Sequence, residues 1–211
     1  MKLYSAPGTC GTAMHIVLNW IGKPFEVEHL DFKGMKSTGY LKLNPAGVVP
    51  TLVDEDGPLS EGLAILLKLV DDNPDADIGP AVGEPERDQL YRWLAFLSAT
   101  LHPFYWPYFM PQRYHADADQ HGAVRAAAEE RVASALDVIE AHLEDKTWML
   151  GNQRTVVDAF LYPMANWAYG FGKPTSAYPN IDRVVHQLAA DPAVLAVHAA
   201  QGTAPKVNIA A

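Results

Sequence analysis

An acidic, turn-rich stretch from residue 71 to residue 83 divides the sequence into two unlike parts. It holds four Asp, two Pro and two Gly, whereas strand and helix patterns fill the chain on either side. Stretches of this composition are typical of linkers between domains. We therefore expect an N-terminal domain at residues 1–72, a linker at 73–84 and a second domain at 85–211.

The first part alternates short strands with helices. Short apolar or alternating runs predict strands, and periodic apolar residues predict helices. In chain order these segments cover residues 2–4, 10–21, 25–30, 51–53, 58–59 and a helix from about 61, with Ser60 as its N-cap. The first two strands flank a helix, which implies a parallel crossover pair. The last two are joined by Asp56-Gly57, which favours an antiparallel hairpin. This βαβ-ββα order predicts a thioredoxin-like α/β domain.

The second part is helical throughout. Apolar residues mark one face of the expected helices, at positions 90, 94, 97 and 101 and over residues 119–143. Prolines 103, 107 and 111 are expected to distort or end the first of these helices. Thr155-Val156-Val157-Asp158 is a capping box variant that opens a further helix. We expect a loose tail from Gly202 onward.

The composition excludes several classes of partner. The 211 residues carry a net charge of -9, which argues against nucleic acid and against an anionic membrane surface. No apolar run approaches the roughly 18 residues of a membrane span, and the N-terminus lacks the apolar core of a signal peptide. We therefore expect a cytoplasmic protein. We expect no metal, because the eight His show no paired ligand spacing and the chain has one Cys.

The only cysteine, Cys10, lies where the first strand turns into the first helix. Pro7 and Gly8 break the strand, and Thr9 is a suitable N-cap, which places Cys10 in the first helical turn. Unpaired backbone N–H groups and the helix dipole lower the pKa of a thiol at such a position. A lone cysteine is also commonly an inert, buried, small residue. The residues around Cys10 leave both interpretations open.

Two other segments, residues 49–50 and 61–62, are expected to lie beside Cys10 at one edge of the predicted thioredoxin-like sheet. A cis peptide bond between Val49 and Pro50 would expose the Val49 backbone to an extended peptide. Glu61 and Gly62 begin a helix whose free N–H groups suit a carboxylate, while the Glu61 side chain suits an ammonium group. The plainer alternatives are a rigid turn at Pro50 and an acid favoured by the helix dipole at Glu61. The combination describes a site for a small thiol peptide.

His102 precedes an aromatic stretch, residues 104–109, that is interrupted by proline. This pattern favours an apolar pocket with one polar group, lined by His102, Tyr105, Trp106 and Tyr169. The alternative is that these aromatic rings belong to the core, and that the histidine is a packed or surface residue.

The motifs together resemble the cytosolic glutathione transferases, and most closely the bacterial beta class. The matching segments span nearly the whole chain and comprise residues 1–4, 7–10, 15, 44–52, 60–65, 101–102, 151–159 and 167–169. The Val49-Pro50 step, the Glu61-Gly62 pair and the capping box are typical of the superfamily. Cys10, His15 and His102 in their contexts are typical of the beta class.

The resemblance implies a glutathione transferase fold, with an N-terminal thioredoxin-like domain, an all-α C-terminal domain and a homodimer. It implies two catalytic residues: Cys10 would contact the glutathione sulfur, and His102 would lie near that sulfur. The implied glutathione-binding residues are Cys10, Lys36, Val49, Pro50, Glu61 and Gly62. Within this set Val49 would pair with the cysteinyl backbone, and Glu61 and Gly62 would hold the γ-glutamyl end. Lys36, or alternatively Lys33, would hold the glycyl carboxylate.

The implied activity is attack of the glutathione thiolate on a small apolar electrophile, with glutathione as co-substrate. A variant uses Cys10 as nucleophile through a mixed disulfide, which would favour thiol transfer or peroxide reduction. The alternatives are a non-catalytic binding protein of the same fold and a glutathione-dependent isomerase or dehalogenase. Three departures bear on activity and dimer contacts. Ser5 replaces a Tyr of close relatives, Ala95 replaces a polar residue found in some of them, and Pro163 is unusual inside the capped helix, which it is expected to kink.

Overall fold

The computed structural model describes residues 1–207 and joins an α/β part to a helical part. The strands are β1 (Lys2–Ser5), β2 (Glu26–His29), β3 (Thr51–Asp54) and β4 (Gly57–Ser60). The helices of the first part are α1 (Gly11–Ile21), α2 (Thr38–Leu43) and α3 (Gly62–Asp71). The tail expected from Gly202 includes residues 208–211, which lie outside the described residues.

The four strands form one mixed sheet in the order β2-β1-β3-β4. β1 is parallel to β2 and antiparallel to β3, and β3 is antiparallel to β4. The predicted crossover pair and hairpin are therefore confirmed. The register places Tyr4, Thr51 and Ser60 in one row across three strands. As a result, the segments that follow β1, precede β3 and follow β4 all leave the sheet at the same edge.

The helical part contains α4 (Arg87–Phe96), α5 (His102–Phe109), α6 (His121–His142), α7 (Val156–Trp167), α8 (Pro179–Ala189) and α9 (Pro192–Gln201). A π-helical turn at Leu97–Leu101 joins α4 to α5 without a break. Pro103 does not end the helix, and it directly follows the π-helical turn; such turns and prolines are both places where the regular helical hydrogen-bond ladder is interrupted. Pro107 is tolerated inside α5, which ends before Pro111.

Helix α1 lies between the two parts and packs against α3, α7 and α9. It ends as predicted at Gly22, whose φ of 71° is the left-handed conformation that glycine adopts at helix ends. One continuous apolar core runs from Leu3 of the sheet to Phe160 of α7. Gly62 is tightly enclosed there, since a Cβ atom at this position would lie 2.8 Å from the Met14 Cε atom. The start of α3 is therefore fixed against α1.

The capping box at the start of α7 is confirmed. Asp158 is fully buried, and its Oδ1 atom accepts a hydrogen bond from the Met149 N–H at 2.8 Å. Its Oδ2 atom accepts from the Thr155 N–H at 2.8 Å and from the Thr155 hydroxyl at 3.1 Å. This carboxylate therefore joins α7 to the chain that precedes it.

The start of α1 differs by one residue from the prediction. Thr9 was expected to be the N-cap, but the helix begins at Gly11 and Cys10 occupies the cap position. Cys10 already has helical backbone angles, with φ of -57° and ψ of -23°. The Thr9 Oγ1 atom accepts from the Gly11 N–H at 3.3 Å, so it still satisfies one free donor of the first turn.

Candidate functional site

The Cys10 side chain is 8% exposed, at the edge where β1 enters α1. Burial raises the pKa of its thiol to about 12, and the nearby charge of Glu61 adds to this rise. The N–H groups of Cys10 and Gly11 act in the opposite direction but do not compensate for lost hydration. The predicted lowering of the pKa by the helix start is therefore wrong. At neutral pH Cys10 is a neutral thiol, which can donate a hydrogen bond.

The peptide bond between Val49 and Pro50 is cis, as predicted. The preceding Val48 carbonyl accepts from the Tyr40 hydroxyl at 2.6 Å and from the Asn44 side-chain amide at 2.8 Å. These two side chains are buried and fix the segment in place. Within the described chain, neither the N–H nor the C=O of Val49 has a hydrogen-bond partner. The Val49 backbone is therefore free to pair with an extended ligand.

Glu61, rather than the predicted Ser60, is the cap residue of α3, because Ser60 is still paired in β4. Glu61 has φ of 71° and ψ of 112°, a left-handed conformation that is uncommon outside glycine. Its side chain is exposed and forms no ion pair within residues 1–207. The strained backbone places a free carboxylate beside the N–H groups of the first turn of α3.

The sheet register brings these three segments together. Cys10 follows β1, Val49 and Pro50 precede β3, and Glu61 follows β4, all beyond the row of Tyr4, Thr51 and Ser60. The effect of Glu61 on the pKa of the Cys10 thiol agrees with this proximity. The edge therefore presents a thiol, a free peptide unit and a free carboxylate side by side.

Lys36 lies beside the same segment. Its Nζ atom donates to the Gly47 carbonyl at 2.8 Å and to the Ala46 carbonyl at 3.3 Å. Gly47 has φ of 62°, and a Cβ atom there would lie 2.7 Å from Lys36 Nζ. Lys33 is exposed and makes no side-chain hydrogen bond or ion pair within the described chain. Of the two predicted lysines, Lys36 is therefore the one that the structure ties to the residues before Val49.

His102 begins α5 and is partly buried. Its ring lies close to two indoles, 6.0 Å from Trp106 and 5.4 Å from Trp167 between centroids. Burial lowers the pKa of the imidazole, so His102 is neutral at pH 7. Within the described residues no hydrogen bond joins His102 to Cys10.

The predicted pocket residues separate into three environments. Tyr105 belongs to the core, which corrects its assignment to the pocket: it is 1% exposed and its hydroxyl donates to the Met164 carbonyl at 2.7 Å. Trp106 is 37% exposed and remains available to a ligand. Tyr169 is partly buried, with its hydroxyl donating to Asp182 at 2.6 Å.

Two residues that the sequence did not single out for this role hold the loop before Cys10. The Trp167 Nε1–H donates to the Gly8 carbonyl at 2.8 Å. The Gln201 Oε1 atom accepts from the Gly8 N–H at 3.1 Å and from the Thr12 hydroxyl at 3.2 Å. The helical part therefore fixes both polar groups of Gly8. No sequence motif marked Gln201, which ends the last helix close to the expected tail.

The three departures from the family pattern lie in different environments. Pro163 is buried inside α7, which continues past it to Trp167. Ser5 is fully buried, and its hydroxyl has no hydrogen-bond partner within the described residues. Ala95 is exposed on α4.

Residues 1–207 show neither a cluster of metal ligands nor a membrane-spanning helix. This part of the chain contains no cluster of three or more His, Cys, Asp or Glu that could hold a metal ion. None of its helices is long and apolar enough to cross a bilayer.

Two family models match this chain. The model for the glutathione S-transferase N-terminal domain covers residues 1–70, and the model for the glutathione S-transferase C-terminal domain covers residues 94–192. Glutathione S-transferase GST-4.5 of Xanthomonas campestris pv. campestris is 35% identical over 202 residues, which cover 96% of this chain and 99% of that protein. Glutathione S-transferase GstA of Escherichia coli O157:H7 is 31% identical over 206 residues, with 96% and 99% covered.

Solved structures agree. A glutathione S-transferase from Xylella fastidiosa superposes with a TM-score of 0.89 at 33% identity, covering 96% of this chain and 98% of the other. A sphingomonad glutathione S-transferase complexed with glutathione gives 0.86 at 35% identity, covering 97% and 100%. The bacterial beta class enzyme of Sphingomonas chungbukensis gives 0.85 at 33% identity, covering 96% and 99%. The chain belongs to the glutathione S-transferase family.

Proposed function

We propose that the protein is a glutathione transferase, which favours the thiolate of bound glutathione for attack on a small apolar electrophile. The observation that carries this proposal is the free Val49 peptide unit, which lies at the sheet edge beside the Cys10 thiol and the Glu61 carboxylate. Glutathione is a thiol tripeptide with an ammonium group and two carboxylates, so these groups match its chemistry. The sphingomonad relative, similar over nearly the whole chain, was solved with glutathione bound.

This geometry supports the following residue roles. The Val49 backbone pairs with the cysteinyl unit of glutathione, next to Pro50. Glu61 accepts from the γ-glutamyl ammonium group, and the N–H groups from Gly62 onward receive its carboxylate. Lys36, which lies beside the same segment, attracts the glycyl carboxylate.

Cys10 acts in this proposal as a neutral donor to the glutathione sulfur. A hydrogen bond to the charged form of a thiol favours that form, so the donor lowers the pKa of the bound glutathione. His102, neutral and close to Trp106, accepts or returns a proton at the electrophile. A route through Cys10 as nucleophile is disfavoured, since its raised pKa leaves little thiolate at neutral pH.

The assembly and location also belong to the proposal. A homodimer and a cytoplasmic location are both supported by membership of the family. The two domains are proposed to meet at residues 73–84, between the end of α3 and the start of α4.

Replacing Glu61 with Gln is expected to weaken glutathione binding about 10- to 100-fold. The change keeps the shape of the side chain and removes its charge, and a hydrogen bond to a charged group contributes roughly 1.5–3 kcal/mol. Titration calorimetry of glutathione into wild type and Glu61→Gln measures the difference. Glu55→Gln is the matched control, since Glu55 is an exposed acid in the β3–β4 turn.

The outcomes of this titration distinguish the proposed function of the protein from the proposed role of Glu61. If glutathione at millimolar concentration does not bind the wild-type protein, the proposed function is wrong. If wild type binds and Glu61→Gln binds equally well, only the role of Glu61 is wrong.

A further inference from the structure

The Val48 carbonyl lies at the centre of a buried hydrogen-bond network. It accepts from the Tyr40 hydroxyl at 2.6 Å and from the Asn44 side-chain amide at 2.8 Å. Thr51, the first residue of β3, joins this network, because its Oγ1 atom lies 2.8 Å from the Tyr40 hydroxyl oxygen and 3.2 Å from Asn44 Nδ2. Tyr40 and Asn44 are each 3% exposed, and Thr51 is fully buried. Hydrogen bonds shielded from water in this way are electrostatically strong.

The chemistry of the groups fixes the direction of each hydrogen bond in the network. The Asn44 Oδ1 atom accepts from the Ala46 N–H, an obligate donor, at 3.1 Å, so the atom that faces Val48 is the amide nitrogen. A carbonyl cannot donate, so the single hydroxyl proton of Tyr40 points to Val48. Thr51 must then donate to the Tyr40 oxygen. The donors therefore run from Asn44 through Thr51 to Tyr40, and each bond in such a chain strengthens the next.

The same network determines where the Val49 N–H points. The peptide bond between Val48 and Val49 is trans. In a trans peptide unit the C=O and the N–H lie in one plane and point in opposite directions. Because two donors hold the Val48 carbonyl towards Tyr40 and Asn44, the Val49 N–H faces away from them. Within the described chain this N–H has no partner, so it is available to a ligand.

The Tyr40 hydroxyl is not needed for packing. The Tyr40 ring lies 5.5 Å from the Tyr4 ring between centroids, and a phenylalanine ring would make the same contact. The hydroxyl adds a second donor to the Val48 carbonyl, beside Asn44, and connects it to Thr51 in a central strand of the sheet. Its contribution is therefore the orientation of one peptide unit.

We propose that Tyr40 is a positioning residue for glutathione, whose hydroxyl turns the Val49 N–H towards the cysteinyl carbonyl of the tripeptide. This inference rests on the proposed function and deepens it, since Tyr40 is buried and acts through Val48. Within residues 1–207 Cys10 shares no hydrogen bond with this network. Tyr40 should therefore affect the affinity for glutathione and leave the pKa of the bound thiol unchanged.

Tyr40→Phe keeps the ring and removes only the hydroxyl. It is expected to raise the Kd of glutathione about five- to tenfold in titration calorimetry, the effect of one neutral hydrogen bond. At saturating glutathione, the thiolate absorbance of this variant is expected to titrate at the same pH as that of wild type. Tyr178→Phe is the matched control, because it removes another buried tyrosine hydroxyl that donates to a backbone carbonyl, that of Ala133 in the helical part. It is expected to bind glutathione as wild type does.

A second variant, Thr51→Val, tests the direction of the network. Valine has the shape of threonine and suits a strand, but it cannot donate to Tyr40. We expect Thr51→Val to weaken glutathione binding about two- to threefold. Because Thr51 acts through Tyr40, the double variant is expected to bind as Tyr40→Phe alone does.

Failure of this inference and failure of the proposed function give different results. If wild type does not bind glutathione, the proposed function is wrong, and the role of Tyr40 with it. If wild type binds and Tyr40→Phe binds equally well, only the role of Tyr40 is wrong. An equal loss in Tyr178→Phe, or a changed thiol pKa in Tyr40→Phe, would also overturn this role, because the effect would then be general. A double variant weakened by the product of both single effects would contradict the order of donors.

Discussion

Iodoacetamide is expected to alkylate Cys10 about a thousandfold more slowly than free cysteine at pH 7. Burial raises the pKa of the Cys10 thiol from 9.0 to about 12, so its thiolate fraction falls by a factor of about 10³. The thiolate is the reactive form, and the 8% exposure of the side chain slows access further. Mass spectrometry follows the reaction without ambiguity, since Cys10 is the only cysteine.

The same protein unfolded in guanidinium is the control, and it should react at the rate of free cysteine. If native Cys10 reacts as fast as free cysteine or faster, it is not the neutral donor assigned here. That result would instead favour the mixed-disulfide route, with Cys10 as nucleophile in thiol transfer or peroxide reduction.

Asp158→Ala is expected to lower the free energy of unfolding by about 3–5 kcal/mol. The change leaves the N–H groups of Met149 and Thr155 without a partner, and each unpaired buried donor costs roughly 1–3 kcal/mol. The Thr155 hydroxyl still accepts from the Val157 N–H at 3.3 Å, so the loss comes from these two donors. Burial raises the pKa of Asp158 to about 6, so at pH 7.5 the carboxyl group is still mostly ionised and accepts these hydrogen bonds.

Urea unfolding at pH 7.5 measures this loss, at one fixed protein concentration because association would change the apparent stability. Asp145→Ala is the matched control: Asp145 is exposed, and its removal should change stability by less than about 0.5 kcal/mol. A loss below about 1 kcal/mol in Asp158→Ala would show that the capping box does not hold α7 to the preceding chain.

The sheet could be predicted from sequence because its signals are local. The Gly22-Lys23-Pro24 stop signal, the Asp56-Gly57 turn and the alternating strands each depend on a few neighbouring residues. The same holds for the capping box at Thr155. The predicted positions of the helix starts were less exact. Ser60, for example, is a good N-cap by residue type but remains paired in β4. Tertiary pairing there overrides local preference.

The electrostatics of the site could not be predicted in the same way. The first turn of α1 does supply N–H groups to Cys10, but the pKa of the thiol depends on how deeply distant elements bury it. Gln201 and Trp167 reach Gly8 from 193 and 159 residues away in sequence. Tyr105 was expected in a pocket, yet it packs in the core because α7 covers it. Such contacts are visible only once the helices are packed.

The most direct test of the proposed function is the pKa of the glutathione thiol when bound. Thiolate absorbance of the complex is measured in the ultraviolet between pH 5 and pH 9. Cys10 stays protonated over this range, because burial raises its pKa to about 12, so the signal belongs to glutathione. We predict a pKa at least about one unit below the ordinary thiol value of about 8.5. A complex that forms but titrates like free glutathione would contradict the claim that this site favours the thiolate.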